Sequence, residues 1–308
     1  MRRIHAAVAE RVVGQDAAIE DALVTFLARG HLLIEGVPGT AKTLLVRTLA
    51  AAFGVRFSRI QFTPDLMPSD VTGVSMLRDP QKGFEFRPGP IFTDVLLADE
   101  INRAPAKTQA ALLEGMAERQ VTVDGVTHVL EAPFTVFATQ NPVEHEGTYP
   151  LPEAQLDRFL LKSVMGYPTH EAELTMLASH EAGFDPEQAG RLVAPVTHEA
   201  QVRAARTLVD RVRVAPEIQD YIARITRGTR GEIAISLGAS PRATVSLMRA
   251  ARAGAVLEGR DYVVPDDVKS RVHPVLRHRV TLSPELEVEG RTVEEVLDMV
   301  VSRVPVPE

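Results

Sequence analysis

Between residues 32 and 164 the chain alternates short unbroken apolar runs with stretches whose apolar positions recur every three or four residues. The runs are Leu32-Leu33-Ile34, Phe57 to Ile60, Val95-Leu96-Leu97-Ala98, Thr135 to Thr139, and a fifth that opens at Phe159-Leu160-Leu161. A half-exposed strand alternates polar and apolar side chains, whereas a strand covered on both faces is apolar throughout. The runs therefore predict parallel strands sandwiched between helices, one of which spans Thr43 to Phe53. The expected fold class is α/β, a three-layer core around a five-stranded parallel sheet.

Two stretches interrupt this rhythm. Pro64 to Pro90 holds a turn at Asp79-Pro80-Gln81-Lys82-Gly83 between short candidate strands. The second reads Val121-Thr122-Val123, then Asp124-Gly125, then Val126-Thr127-His128-Val129. Asp-Gly between alternating segments is a strong hairpin signal, because both central residues of the tight turn take positive φ. That turn pairs Val123 with Val126 and Thr122 with Thr127, on opposite faces of the ribbon. Beyond Met165-Gly166-Tyr167-Pro168 the texture becomes helical, punctuated by Gly183, Pro186, Pro195 and Pro216. The expected division is residues 1–168 as the α/β core and 169–308 as connecting helices with a small all-α domain.

Composition narrows the class. At 308 residues two domains are accommodated. Aromatics make up 5% and tryptophan is absent, so the core must be built from Val, Leu, Ile and Ala. A net charge of −7 and a pI near 5.8 argue against a surface dedicated to nucleic acid or anionic lipid. The lack of cysteine excludes disulfides, thiolate metal sites and a thiol nucleophile, and it accords with a cytoplasmic location. Arg2 and Arg3 are followed by Glu10 and Arg11 before any apolar run forms, so no signal peptide is expected. No run approaches the ~20 apolar residues of a membrane span, so membrane insertion is not expected.

The chemistry enters at Gly36-Val37-Pro38-Gly39-Thr40-Ala41-Lys42-Thr43, between the first strand and the helix continuing through Leu44. In that context the pattern is a phosphate-binding loop. Glycines let successive N–H groups turn toward phosphates, and the helix N-terminus adds its positive dipole end. Lys42 supplies a charge to the β- and γ-phosphates of ATP, and the Thr43 hydroxyl is a Mg²⁺ ligand. The strict pattern has glycine where this chain has Ala41, which alanine tolerates if the backbone there is helical. A second acidic motif, Asp99-Glu100, ends the third apolar run. At the carboxyl edge of a parallel sheet, where ligands bind, Asp99 suits Mg²⁺ and Glu100 suits polarising the attacking water.

With both motifs in place the sequence resembles the AAA+ ATPases, and among them the MoxR family, over nearly its whole length. Val13-Gly14-Gln15 is similar to the segment near the adenine, and Asp99-Glu100-Ile101-Asn102-Arg103-Ala104 to the family's acidic motif. Thr139-Gln140-Asn141-Pro142 ends a strand as sensor 1 does, which makes Asn141 the residue that orients the water. Leu151-Pro152-Glu153-Ala154-Gln155-Leu156-Asp157-Arg158-Phe159 resembles the segment bearing the arginine finger, which implies that Arg158 acts on a neighbouring subunit. Ser240-Pro241-Arg242-Ala243 resembles sensor 2, with Ser240 suited to the N-cap, Pro241 to the first helical position and Arg242 to reaching a phosphate. The interruptions match the helix-2 insert, residues 64–90, and the pre-sensor-1 hairpin, about 119–131.

The resemblance implies a P-loop AAA+ core with a helical lid and a Mg²⁺-dependent cycle between ATP and ADP. It also implies a homo-oligomer, a hexameric ring, that acts as a chaperone-like remodeller or maturation factor with a protein bearing a von Willebrand factor A domain. The alternative is a nucleic-acid motor, since related helicases carry the same inserts. The hairpin tip weighs against it, because Val123-Asp124-Gly125-Val126 offers an acid and no cation to phosphate. The valine face, with Val121 and His128, is expected to pack against the ring interior or the other insert. His273 and His278 are read as surface residues.

Overall fold

The computed structural model describes residues 1–79, 83–131, 133–142, 148–185 and 193–307. Residues 80–82 of the expected Asp79–Gly83 turn, and Pro186, lie outside the described residues. The elements are α1 (Arg2–Ala9), α2 (Asp16–Leu27), β1 (Leu32–Gly36), α3 (Lys42–Phe53), β2 (Phe57–Gln61), α4 (Pro68–Thr72), β3 (Gly73–Asp79) and β4 (Gly83–Pro88). They continue with β5 (Val95–Asp99), a 3₁₀ turn (Ile101–Arg103), α5 (Ala106–Glu118), β6 (Gln120–Val123), β7 (Val126–Val129), β8 (Thr135–Gln140), α6 (Glu153–Leu156) and β9 (Leu161–Met165). The remainder is α7 (His170–Glu181), α8 (Glu199–Arg211), α9 (Pro216–Gly231), β10 (Ile235–Leu237), α10 (Pro241–Leu257), α11 (Pro265–Leu276), β11 (Thr281–Leu282), α12 (Pro284–Val288) and α13 (Val293–Ser302).

The five apolar runs form one sheet in the order β2-β5-β8-β1-β9. The β2–β5, β5–β8 and β8–β1 pairings are parallel. All five residues of β5 are buried, as a central strand covered on both faces requires. Strand order changes direction at β1, so its carboxyl end opens a crevice at a topological switch point. The fifth strand begins at Leu161, later than the apolar run suggested. Phe159 and Leu160 are buried but lie before the strand, their carbonyl oxygens taken by Arg279 rather than by a sheet neighbour.

Both interruptions are antiparallel hairpins. β3 pairs with β4, and β6 pairs with β7 in the register Val121–His128, Thr122–Thr127 and Val123–Val126. Asp124 and Gly125 both take positive φ, 50° and 78°. Val121 is buried, and the His128 ring stacks on Phe86 of β4 with centroids 3.8 Å apart. The base of the valine face is thus covered, with His128 on the other insert, while Val126 beside the turn is exposed.

The chain divides into two compact units. The first is Met1–Ala22, His31–Leu151 and Ser163–Val202; the second is Leu23–Gly30, Pro152–Lys162 and Arg203–Glu308. The second unit is largely helical, and α9, α10, α11 and α13 each bury one face. Tyr221, Ile222 and Ile225 come from α9, Leu247 and a run of small alanines from α10, Val268, Val272 and Val275 from α11, and Leu297 from α13. A small ribbon, β10 against β11, is added to these helices.

His278 corrects the sequence expectation. It is only 7% exposed, and its Nε2 lies 3.2 Å from the carbonyl oxygen of Phe159, to which it donates. Nδ1 finds no partner among the described residues, which fits a neutral ring. Burial, and next the Arg279 guanidinium, hold its pKa well below the ordinary histidine value. His273 is half-buried and pairs with Asp298 at 2.8 Å.

A depressed histidine pKa fixes the sign of the pH effect. Above the unfolded value near 6.5 neither state is protonated, and the fold has its full stability. As pH falls below about 6.5 the unfolded chain takes up the proton first, so stability is lost down to the folded pKa. Denaturant melts at pH 7.5 and 5.5 should show wild type losing roughly 1 kcal/mol more than His278→Gln.

Candidate active site

The crevice at the end of β1 is a cavity of about 500 Å³ within the first unit, lined by the loop residues Pro38 to Leu44, by Asp99, Glu100, Thr139 and Asn141, and by Val13 and Gln15. That volume lies within the range of small-molecule and cofactor sites. One wall is apolar, formed by Val12, Val13, Pro168, Met176 and Phe184. Gln15 reaches across to donate to the Gly166 carbonyl at 3.0 Å, and Gly14 turns the chain at φ 74°.

The loop geometry follows from its residues. Gly36 must lack a side chain, since a Cβ there would stand 2.4 Å from the Met165 carbonyl oxygen. Gly39 takes φ 83°. Lys42 Nζ donates to the carbonyls of Gly36 and Val37, both at 2.7 Å, so the ammonium is held inside the loop's curve. Burial keeps its pKa below the ordinary lysine value, opposed by the attraction of Asp99 and Glu100. Thr40 braces the turn through a 2.9 Å hydrogen bond to Val37.

Ala41 departs from expectation. Its backbone is left-handed rather than helical, at φ 65° and ψ 22°, because it is the cap from which α3 departs at Lys42. Alanine is therefore strained where glycine would be relaxed.

The acids sit on the adjoining strand end. Asp99 accepts from Thr139 Oγ1 at 2.6 Å, from Arg59 Nη2 at 2.7 Å and from Thr43 Oγ1 at 3.4 Å. Glu100 occupies the left-handed region at φ 56°, its N–H bonded to Thr139 Oγ1 at 2.8 Å. Its carboxylate accepts from Gln61 Nε2 at 2.7 Å and Arg103 Nη1 at 2.9 Å. Asn141 is buried at the end of β8, on the same edge. Thr43 and Asp99 bring two hard oxygen donors together, which suits Mg²⁺ provided that water and phosphate oxygens complete its shell.

Sequence reasoning missed Arg59, Gln61, Arg103 and Thr139 as partners of the two acids, and Met176 and Phe184 as the apolar wall. Arg59 and Gln61 were legible as polar residues two apart on β2, hence on one side of a strand. The Met176 and Phe184 contributions carry no local signal.

Arg158 and Arg242 belong to the second unit. Arg158 is partly exposed and Arg242 exposed. Ser240 caps α10, accepting from Ala243 N–H at 3.3 Å, with Pro241 as the first helical residue. The Ser240 hydroxyl also donates to Asp157 at 3.2 Å, so the two arginine-bearing segments meet.

Residues 31–161 match the model of the ATPase family associated with various cellular activities (AAA), and residues 227–300 match the AAA lid domain. Core, lid and loop together define an AAA+ P-loop ATPase. Chaperone MoxR1 of Mycobacterium tuberculosis is 44% identical over 307 residues, covering 96% of this chain and 80% of its own, and Protein MoxR of Methylorubrum extorquens is 34% identical over 99% and 94%. The chain belongs to the MoxR family of these ATPases. The uncharacterized protein YeaC of Bacillus subtilis is 50% identical, covering 92% of this chain and 88% of its own. A 2.00 Å crystal structure from Cytophaga hutchinsonii, described provisionally as an ATPase, superposes with a TM-score of 0.90 at 40% identity, covering 100% of this chain and 94% of its own. No helix among the described residues is long and apolar enough to cross a membrane.

The strain at Ala41 is open to measurement. Ala41→Gly removes a left-handed cost of about 1–2 kcal/mol and adds about 0.5–1 kcal/mol of unfolded-state entropy. Thermal melts should show a net gain of up to about 1.5 kcal/mol, a rise of no more than roughly 3–6 °C. Ala41→Val should lower the melting temperature.

Proposed function

We propose that the chain is a Mg²⁺-dependent ATPase that converts ATP and water to ADP and phosphate within a ring of identical subunits, and that it remodels or matures protein complexes as a chaperone-like factor. The observation carrying the reading is the convergence of Lys42, Thr43, Asp99 and Glu100 at one sheet edge, with Thr43 Oγ1 3.4 Å from the Asp99 carboxylate. The loop N–H groups and Lys42 bind the phosphates, and Val13, Gln15 and the apolar wall receive the base. Thr43 and Asp99 would hold Mg²⁺, which when bound would supply positive charge to the phosphate oxygens. Glu100 polarises the attacking water and Asn141 orients it. Arg158 of a neighbouring copy neutralises charge developing on the γ-phosphate, and Arg242 assists at a phosphate.

A protein partner, with a von Willebrand factor A domain protein as the class, is supported by the surface of the inserts. Met76 and Leu77 of β3 and Phe84 of β4 are exposed, Phe84 by 76%. Exposed apolar side chains suit a protein surface better than a phosphate backbone. The name Chaperone MoxR1 borne by a relative points the same way.

The roles of Lys42 and Glu100 separate experimentally. Lys42→Ala removes charge-assisted contacts worth about 1.5–3 kcal/mol, so ATP affinity should fall roughly 10- to 100-fold in a binding titration. Glu100→Gln should bind ATP as wild type does and lose roughly 10²- to 10⁴-fold in turnover. Equal loss of affinity in both variants would refute the assignment. At the inserts, His128→Ala breaks the stack on Phe86 and should leave basal ATPase unchanged while weakening its response to a partner.

A further inference from the structure

Arg279 follows α11, and its side chain is only 2% exposed. A guanidinium cannot discard its charge, so burying it requires partners for all its donors. Those partners come from one short segment. Nε donates to Asp157 Oδ1 at 2.6 Å, Nη1 to the Leu160 carbonyl at 3.0 Å, and Nη2 to the carbonyls of Asp157 and Phe159. On its own side the guanidinium also meets the Val275 carbonyl and Ser246 Oγ. His278 adds a donor to the Phe159 carbonyl, and Ser240 Oγ holds the second oxygen of Asp157. The residues that follow α11 thus grip the backbone immediately around Arg158, and the N-cap of α10 holds the Asp157 side chain, while the Arg158 side chain remains partly exposed.

We propose that Arg279, with Asp157, is a positioning residue that fixes the direction in which Arg158 leaves the second unit. The inference rests on the reading of Arg158 as a residue acting on a neighbouring subunit. The physical reason for so costly a device is geometric. A long side chain that must meet a phosphoryl group in another molecule gains from a rigid root, since a displacement of about 1 Å at a reacting group can cost on the order of 100-fold. A packing role alone would be served equally well by apolar residues, which replace buried ion pairs without loss of stability. The fork that binds the carbonyls on both sides of Arg158 instead determines backbone direction at that residue.

The test uses mixed assemblies of the full-length chain. Arg279→Lys keeps the charge and shortens the fork, and Asp157→Asn keeps the shape and removes the ion pair. Each should bind a fluorescent ATP analogue as wild type does, which also reports a folded nucleotide site. Each alone should lose roughly 10- to 100-fold in ATPase rate. Mixed, at an ATP concentration near the wild-type Kd, with Lys42→Ala subunits, whose weakened sites then stay largely empty but which present an intact Arg158, their activity should rise severalfold above the sum of the separate rates. A defect confined to the variant's own site would show no such rescue. Arg158→Ala mixed with Lys42→Ala is the reference pair. If the reference pair fails to complement, the trans reading of Arg158 falls, and the positioning role falls with it. If the reference pair complements and both Asp157→Asn and Arg279→Lys do not, or if Asp157→Asn retains the wild-type rate, the positioning role alone is overturned. Should Arg279→Lys fail to fold, Asp157→Asn decides the matter.

Discussion

Much of the nucleotide edge depends on where the Asp99 carboxylate is held. Two adjacent acids at a sheet end repel, and neither can be desolvated without donors. The chain supplies those donors from four elements: Thr139 at the end of β8, Arg59 and Gln61 on β2, Arg103 on the 3₁₀ turn, and Thr43 at the start of α3. Thr139 serves both acids, accepting from the Glu100 N–H while donating to Asp99. Its hydroxyl thereby ties the strand that carries the acids to β8, the strand that Asn141 follows.

The same reasoning explains why Glu100 tolerates a left-handed backbone. Non-glycine residues in that region cost on the order of 1–3 kcal/mol and persist when their surroundings over-determine them. Here the N–H bond to Thr139 and the two carboxylate donors do so. Ala41 is the second such residue at this edge, so the strain is concentrated where loop and acids face one another.

What the sequence revealed and what it hid divide along physical lines. Phosphate binding requires particular residue types at fixed spacing along the chain, so the loop from Gly36 to Thr43 and the pair Asp99-Glu100 were legible. Turn chemistry is equally local, and Asp124-Gly125 specified its hairpin down to the register. Partners set by juxtaposition of distant segments were not legible. Nothing near His278 or Arg279 in sequence announces that both are buried against Phe159, and a histidine beside arginines reads most simply as surface. The apolar run Phe159-Leu160-Leu161 reads as one strand, yet it serves two roles: its first residues fill the second unit's interior and only the last enters the sheet. The sequence left the backbone of Ala41 open: alanine favours helical φ, whereas the loop's exit into α3 demands the opposite sign.

The central sheet ends on β2 and β9, each five residues long, with Arg59 and Lys162 among their residues. A free sheet edge is a template for a further strand, and short edges bearing charge are the means by which proteins decline the offer. Arg59, which bonds Asp99, also leaves a charged residue on the short edge strand β2, a feature that disfavours strand addition. When copies of the chain meet side by side at high concentration, fusion of their sheets by backbone pairing into a growing ribbon is disfavoured. Contact between copies is left to side-chain surfaces, whose complementarity can be selective and reversible where strand-to-strand bonding would be neither.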